Sequence, residues 1–222
     1  MKRKNWISLC VAAALLLGLA ACGSRETAPA ATSEPETTPV PTATPVPERV
    51  LVVYFSPVTE RDDETETEKG DAAIVAELLA RKMSGDLYEI VPARDNYPHT
   101  YDELMIVARA EQSAKARPAI GSSLPALEGY DTVFIGAPVW YEDWPMIVYT
   151  FLEGVDLAGK KLVPFCVFDG DAPSGLDKKM ARICPYSTVT EALAVKGEDA
   201  AGNLRLVEAG VDRWLRRLGY TI

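Results

Sequence analysis

The alternation of strand-like and helix-like patterns over residues 50–218 constrains the fold of this chain more than any other feature. The strand-like runs are short, apolar and rich in β-branched residues. They lie at Val50–Phe55, Leu87–Val91, Thr132–Ile135, Leu162–Phe168 and Thr188–Val195. The first, third and fourth runs are almost continuously apolar, which is typical of parallel strands that are buried on both faces.

Helical periodicity occupies the segments between these runs. An apolar stripe at helical spacing consists of Ile74, Val75, Leu78 and Leu79, and Gly85 follows it at a position suited to a helix C-cap. Further helices are predicted at Tyr101–Ala116, Trp144–Leu152, Ser174–Ile183 and Asn203–Leu218. Because strands and helices alternate, we expect an α/β domain in which a doubly wound, five-stranded parallel sheet lies between two layers of helices.

Three loops that follow predicted strands are the expected place for a ligand. In a doubly wound sheet, ligands bind beyond the carboxyl ends of the strands, where the strand order reverses. The loops are Ser56–Gly70, Ala137–Trp144 and Asp169–Gly175.

The sequence has no G-x-S-x-G, no phosphate-binding P-loop and no G-x-G-x-x-G, which argues against several common enzyme classes. The single histidine, His99, gives little support to a zinc site or a Ser-His-Asp triad.

The first 21 residues have the layout of a secretory signal, with a basic start, an apolar stretch from Trp6 to Leu19 and small residues after it. The stretch Leu19-Ala20-Ala21-Cys22 resembles the bacterial lipobox, in which the cysteine becomes the lipidated N-terminus. We therefore expect Cys22 to anchor the protein to a membrane of the bacterial cell envelope, on the extracytoplasmic side. The alternative is an ordinary signal peptide that is cut nearby, with Cys22 incidental.

Residues 22–48 are rich in Pro, Thr, Ala and Glu, and such a composition predicts an extended tether. Residues 49–222 then form one well-buried domain. The chain has a formal charge of −9, and loss of the three basic residues of the signal leaves −12. This charge argues against a nucleic-acid partner and favours small ligands or proteins with a basic surface.

Two cysteines, Cys166 and Cys184, belong to the predicted domain. Export from the cytoplasm permits a disulfide between them. The alternative is a pair of buried free thiols. Their positions in the sequence do not determine the distance between them, so both possibilities stay open.

Four segments of the chain resemble the flavodoxin-like family, in particular its single-domain, lipoprotein-associated branch. They are Leu51–Ser56, Tyr97–Pro118, Tyr130–Tyr141 and Gly159–Cys166. Together with their spacing they cover nearly all of residues 50–222, and the third segment is the most specific. The resemblance implies the strand order 2-1-3-4-5, FMN as cofactor, one- or two-electron transfer and unidentified redox partner proteins. It does not distinguish an electron carrier from a reductase, since the chain has no nicotinamide-binding motif.

The resemblance also implies which residues contact FMN. The phosphate loop corresponds to Ser56, Pro57, Val58 and Thr59, and the loop beside the flavin ring to Pro138, Val139, Trp140 and Tyr141. The far edge of the site corresponds to Asp169, Gly170, Ser174 and Gly175. Trp140 and Tyr141 could stack on the ring. Alternatively, they only cap the end of the sheet.

The first loop departs from the family pattern because it is acidic. Its carboxylates are Glu60, Asp62, Asp63, Glu64, Glu66, Glu68 and Asp71, and only Arg61 and Lys69 oppose them. Asp71 suits a helix N-cap, where it would occupy amides that a phosphate needs. A carboxylate beside a phosphate costs on the order of 1 kcal/mol even in a water-like dielectric. Either this loop is a solvated surface loop that lies away from the site, or FMN binding is weakened or lost.

Two alternatives follow from the acidic loops. A flavodoxin-like domain that has lost FMN would be a binding module tethered to the envelope. A strand that ends in Asp169-x-Asp171 is also typical of phosphotransferases with an aspartate nucleophile. In those enzymes the motif follows the first core strand, whereas only one further strand is predicted after Asp171 here, so this alternative is disfavoured.

The carboxylates of Asp169 and Asp171 would also affect a bound flavin. They would disfavour its anionic reduced form and so lower the reduction potential of the flavin.

Overall fold

A computed structural model describes residues 48–59, 69–94 and 97–222 of the chain. The predicted signal, Cys22, all but the last residue of the predicted tether and the acidic stretch 60–68 lie outside the described residues. Within the three described ranges, no helix has the length and apolar character that crossing a membrane requires.

The described residues contain twelve helices and strands. The strands are β1 (Val50–Tyr54), β2 (Asp86–Glu89), β3 (Thr132–Pro138), β4 (Lys161–Phe168), β5 (Thr188–Val189) and β6 (Leu193–Lys196). The helices are α1 (Asp71–Met83), α2 (Tyr101–Ala114), α3 (Met146–Gly154), α4 (Leu176–Ile183), α5 (Gly197–Gly202) and α6 (Leu204–Arg217). All five predicted helices are present, and the short helix α5 was not predicted because six residues without an apolar stripe give no periodic signal.

The sheet has the order β2-β1-β3-β4, with β5 and β6 both paired to the outer edge of β4, and all pairs are parallel. If β5 and β6 are counted as one edge position, the order is 2-1-3-4-5, which confirms the predicted fold class. The prediction of one continuous strand over Thr188–Val195 was wrong. Three residues, 190–192, separate β5 from β6 and lie opposite Val163 and Pro164 of β4. Pro164 has no N–H to donate to a neighbouring strand, which fits a break at this point.

Alternate residues of the central strands enter two separate cores, one on each face of the sheet. Leu51 and Val53 of β1 face a core that also contains residues of α2, α3 and α4. Val50 and Val52 face the other core, which contains residues of α1, α5 and α6. Burial on both faces explains the almost continuous apolar runs in the sequence.

Helix α1 ends one residue earlier than Gly85 suggested. Ser84 is the C-cap, with a left-handed φ of 49°, and its N–H donates to the carbonyl of Ala80. Gly85 meets a different requirement: a Cβ at this position would lie 2.9 Å from Cγ1 of Val50. The glycine therefore permits the close approach of this turn to β1. Its backbone conformation does not itself require glycine, because its φ is not in the left-handed region.

Cys166 and Cys184 are both free and buried, so the structure has no disulfide between them. Both side chains belong to the core that is covered by α2, α3 and α4. Burial raises the pKa of the Cys166 thiol to about 12 and that of Cys184 to about 11. At neutral pH both are uncharged core side chains.

Gly136 of β3 should tolerate no larger residue, because a Cβ at this position would overlap the ring of Phe165 on β4. Phe165 is fully buried and has no solvent-side space to move into. We expect Gly136→Ala to lower the free energy of unfolding by about 3 kcal/mol or more, measured by urea denaturation.

Gly210→Ala in α6 is the matched control, since no atom apart from its chain neighbours and the nearby backbone of α6 lies within 4 Å of its added Cβ. It should stabilise the protein by up to about 1 kcal/mol through helix propensity. Adding Phe165→Leu to Gly136→Ala should restore part of the lost stability. A Gly136→Ala protein with the wild-type urea midpoint would show that the ring does not press on this glycine.

Candidate functional site

A cleft opens at the carboxyl ends of β1, β3 and β4, where the strand order reverses. The loop after β1 contributes Ser56, Pro57 and Thr59. Pro138, the last residue of β3, also lines the cleft, together with Val139 and Trp140 of the loop after it. The remaining lining residues are Asp71 and Ala72 of α1, Tyr101, Leu104 and Met105 of α2, and Val167, Phe168 and Asp169. This is the position at which doubly wound sheets bind their ligands.

Seven of the twelve site residues predicted from the sequence line this cleft: Ser56, Pro57, Thr59, Pro138, Val139, Trp140 and Asp169. Five do not, namely Val58, Tyr141, Gly170, Ser174 and Gly175. The carbonyl of Val58 lies 3.2 Å from Nδ1 of His99, beside a separate pocket. Gly170 and Gly175 adopt left-handed φ values of 77° and 74° in the loop after β4, and Ser174 is exposed there.

Ser56 is tied to the first turn of α1. Its Oγ accepts a hydrogen bond of 2.9 Å from the backbone N–H of Ala73. This contact requires Gly70, because a Cβ there would overlap Ser56 Oγ and lie 2.6 Å from the carbonyl oxygen of Pro57. Gly70 is the N-cap and Asp71 the first helical residue, so the expected N-cap role of Asp71 was wrong by one position. This end of the cleft therefore combines a hydroxyl with the positive end of a helix dipole.

Two carboxylates converge beside the same helix terminus. Asp71 Oδ2 and Asp169 Oδ1 lie 3.0 Å and 2.7 Å from the point that a Cβ on Gly197 would occupy. Gly197 is the buried first residue of α5, and its lack of a side chain leaves room for both carboxylates. The end of the cleft that offers donors to an anion thus also contains two carboxyl groups.

Trp140 forms part of the cleft wall and is only 6% exposed. Its ring packs edge-on against Phe55, with the centroids 5.6 Å apart, and in a tilted arrangement against Tyr97, with the centroids 5.4 Å apart. The hydroxyl of Tyr97 donates to Glu111 of α2. Burial, with the nearby Glu111 carboxylate, raises the pKa of Tyr97, and burial raises the pKa of Glu111. The aromatic cluster therefore holds Trp140 in one orientation.

Tyr141 and Glu142 form a tight turn in which both residues have left-handed φ values, 48° and 60°. The turn is closed by two hydrogen bonds, from Trp140 N–H to the Asp143 carbonyl at 2.9 Å and from Asp143 N–H to the Trp140 carbonyl at 3.0 Å. This is the pattern of a type I′ turn, which ordinarily contains Asn or Gly at the two central positions. Left-handed φ at a residue with a Cβ costs roughly 1–2 kcal/mol.

Helix α2 fixes the first half of this turn. The hydroxyl of Tyr141 donates to the carbonyl of Met105 at 3.1 Å, and the guanidinium of Arg109 lies 4.8 Å from the centre of its ring. Gln112 Nε2 donates to the Tyr141 carbonyl at 3.3 Å. The Tyr141 ring thus lies against α2, outside the lining of the cleft.

Helix α4 and Asp143 fix the second half. Lys179 Nζ donates to the carbonyl of Glu142 at 2.7 Å and lies 3.2 Å from a carboxylate oxygen of Asp143. Asp143 Oδ1 accepts hydrogen bonds of 2.8 Å from Trp144 N–H and from the hydroxyl of Tyr149. Burial, with the hydrogen bond to Asp143, raises the pKa of Tyr149. Neighbouring helices therefore hold the turn in its strained conformation.

Sequence reasoning missed the contribution of α2 to the cleft. Tyr101, Leu104 and Met105 lie at helical spacing i, i+3 and i+4, which indicates one face of a helix. The spacing could have identified that face, but it does not show that the face closes a cleft built from other strands. The other missed residues, Asp71, Ala72, Val167 and Phe168, are adjacent to predicted loops.

The family model described as Flavodoxin matches residues 49–209. The chain belongs to the flavodoxin family. This result confirms the family suggested by the sequence and agrees with the observed strand order. Among curated proteins, no sequence matches the chain.

Solved structures with the same fold include flavoproteins from three bacteria. The putative flavoproteins of Bacteroides uniformis ATCC 8492 and Bacteroides eggerthii DSM 20697 are each 28% identical to this chain, with a TM-score of 0.60. The matches cover 74% and 78% of this flavodoxin-family chain and 98% and 99% of those proteins. A flavoprotein of Lactobacillus acidophilus NCFM, solved in complex with FMN, is 16% identical over 75% of this chain and 98% of its own, with a TM-score of 0.56.

The strained turn leads to a stability prediction for Glu142, whose side chain is exposed and whose φ is 60°. Glu142→Gly relieves the left-handed strain, whereas Glu142→Ala removes the same side chain and keeps the strain. We expect the glycine variant to be more stable than the alanine variant by about 1 kcal/mol, measured by urea denaturation. Equal midpoints for the two variants would contradict a cost at this position.

Proposed function

We propose that the cleft binds FMN and that the protein transfers electrons through it. The observation that carries this proposal is the convergence of the Ser56–Thr59 loop and the Trp140 loop on one cleft at the point where the strand order reverses. Membership of the flavodoxin family supports it, as does the shared fold with a flavoprotein that was solved with FMN. FMN, when bound, supplies the ability to accept and release one or two electrons.

The residues of the cleft fit the two chemically different ends of FMN. The hydroxyls of Ser56 and Thr59 and the first turn of α1 would hold the phosphate, because hydroxyls and helix N-terminal amides donate to anions. Trp140, Leu104 and Met105 provide the aromatic and apolar surface that a planar ring system needs. Asp169 also lines the cleft and would oppose the phosphate, so we expect the affinity to be lower than a cleft without this carboxylate would give.

The surrounding structure would fix the position of a flavin and keep water from one side of it. Trp140 is held by Phe55 and Tyr97, and the turn at Tyr141 and Glu142 is held by two helices. These side chains would not need to reorder on binding, which reduces the entropic cost. The carboxylate of Asp169 at the cleft would oppose the addition of negative charge there.

The test of FMN binding is the visible spectrum of the chain from residue 23 to residue 222, produced without the signal. We expect a yellow protein that releases FMN on denaturation and binds it again after refolding. Trp140→Phe should weaken FMN binding about threefold to tenfold, because the larger indole contributes more stacking surface. The measurement is a fluorescence titration of free FMN.

Trp214→Phe is the matched control for this variant. Trp214 is 1% exposed and belongs to the core on the face covered by α1, α5 and α6, and it does not line the cleft. It should lower stability without changing FMN affinity. A colourless protein that does not bind added FMN would contradict the proposal and favour a tethered binding module that has lost the cofactor.

We also propose that the protein is a lipoprotein of the bacterial cell envelope, anchored through Cys22 on the extracytoplasmic side. The basic and apolar signal pattern, the stretch Leu19-Ala20-Ala21-Cys22 and the Pro/Thr-rich composition of residues 22–48 support this proposal. The acidic charge of the mature chain favours redox partner proteins with a basic surface.

The anchor is tested by Cys22→Ala in the full chain expressed in bacteria. We expect the wild-type protein in the membrane fraction and incorporation of a labelled fatty acid, and the variant should lose both. Cys10→Ala, within the signal itself, is the matched control and should leave both unchanged. Labelling that persists in Cys22→Ala would refute lipidation at this residue.

A further inference from the structure

We propose that residues 97–99, which we call the bridging segment, position both loops of the cleft, with His99 acting on the phosphate end and Tyr97 on the ring end. This inference rests on the proposed binding of FMN in the cleft. The bridging segment lies between β2 and α2, and none of its residues lines the cleft. It therefore acts on a ligand only through the residues that it holds.

His99 contacts the loop after β1. Its Nδ1 lies 3.2 Å from the carbonyl oxygen of Val58, and because a carbonyl can only accept, this nitrogen carries the proton when the hydrogen bond forms. Val58 does not line the cleft, but its neighbours Pro57 and Thr59 do. The hydrogen bond thus fixes the backbone between two lining residues, next to the Thr59 hydroxyl that would meet a phosphate.

Tyr97 contacts the aromatic end of the cleft. Its ring centre lies 5.4 Å from that of Trp140 and 5.2 Å from that of Phe55. The Tyr97 ring is buried, and its hydroxyl donates to Oε2 of Glu111 on α2 at 3.2 Å. Packing and a hydrogen bond therefore hold this ring against Trp140, although Tyr97 does not itself line the cleft.

Pro98 joins the two contacts. Its ring fixes φ at about −65° and restricts the backbone of the preceding residue, Tyr97. The spacing between the Tyr97 ring and the His99 imidazole therefore varies little. A separate pocket of about 170 Å³ lies between the bridging segment and the loop after β1. Because this space is open beside Val58, packing alone does not hold that part of the loop, and the hydrogen bond from His99 supplies a contact there.

The two contacts predict different effects on FMN and on riboflavin, which has the same ring and ribityl chain and lacks the phosphate. Loss of the His99 hydrogen bond releases only the phosphate loop, so it should weaken the binding of FMN alone. Loss of the Tyr97 ring releases Trp140, so it should weaken the binding of both flavins by the same factor. A general loss of stability would not divide the two flavins in this way.

The experiment titrates the chain from residue 23 to residue 222 with FMN and with riboflavin. His99→Ala should weaken FMN binding about threefold to tenfold, as expected for one lost hydrogen bond, and change riboflavin binding less than about twofold. His99→Asn should restore FMN binding, because its amide nitrogen lies as many bonds from Cα as Nδ1 does. His99→Gln is the matched control, since its amide lies one bond further out, and it should resemble His99→Ala.

Tyr97→Leu should weaken FMN and riboflavin binding equally, by about threefold to tenfold, because Trp140 loses an aromatic neighbour. Tyr97→Phe keeps the ring and should restore most of the affinity for both. Circular dichroism checks that each variant is folded, and Tyr97→Met replaces the leucine variant if that one does not fold.

Tyr130→Leu is the matched control for the tyrosine variants. Tyr130 also donates its hydroxyl to a carboxylate, that of Asp86, at 2.7 Å, and it does not line the cleft. Both flavin affinities of Tyr130→Leu should stay within about twofold of the wild type. Equal losses in Tyr130→Leu and Tyr97→Leu would assign the effect to stability and overturn the role of Tyr97.

Equal losses of FMN and riboflavin affinity in His99→Ala, or no loss of either, would overturn the role of His99. A loss that His99→Asn does not restore and that high salt abolishes would assign the effect to the charge of the imidazole and also overturn the positioning role. Unchanged affinities in folded Tyr97→Leu would overturn the role of Tyr97. In these cases flavin binding itself would stand, whereas failure of the wild type to bind either flavin would overturn the proposed function together with this inference.

Discussion

The parallel pairing of β1 with β3 is the constraint on which the rest of the molecule depends. After β1 the chain turns to α1 on one face of the sheet, and after β3 it turns to α3 on the opposite face. Two adjacent strands thus send their connections in opposite directions, and a cleft remains between the two loops. Close packing also secures the pairing of β3 with β4, because Gly136 leaves the space that the Phe165 ring of β4 fills.

The cleft that results has opposing chemistry at its two ends. Aromatic and aliphatic side chains form one end. Trp140 there is held by packing against Phe55 and Tyr97, and the turn that follows it is held by hydrogen bonds from side chains of α2 and α4. The other end places a serine hydroxyl and a helix terminus beside two carboxylates. A site for a simple anion would not contain those carboxylates, so this end is better described as a mixed surface of donors and acceptors.

Two of the four non-glycine residues with left-handed φ in the described part of the chain are consecutive and lie beside this cleft. Tyr141 and Glu142 hold left-handed conformations that non-glycine residues seldom adopt, and three helix side chains, those of Arg109, Gln112 and Lys179, secure them. Strained turns persist only where the surrounding structure compensates their cost. The turn gives the Trp140 loop a fixed shape, and in this way the helices determine the geometry of the cleft wall.

The sequence by itself determined the α/β class, the five helices, the three ligand loops and the family, because burial of a parallel sheet and amphipathic helices leave periodic signals in local sequence. Only the tertiary structure decided which side chains share the cleft. Tyr141 lies against α2, and Asp71 meets Asp169 beside Gly197, although these residues are far apart in the chain. Such contacts depend on how helices pack across the ends of strands, and the break between β5 and β6 lies opposite Val163 and Pro164 of another strand. Local periodicity contains no record of these long-range contacts.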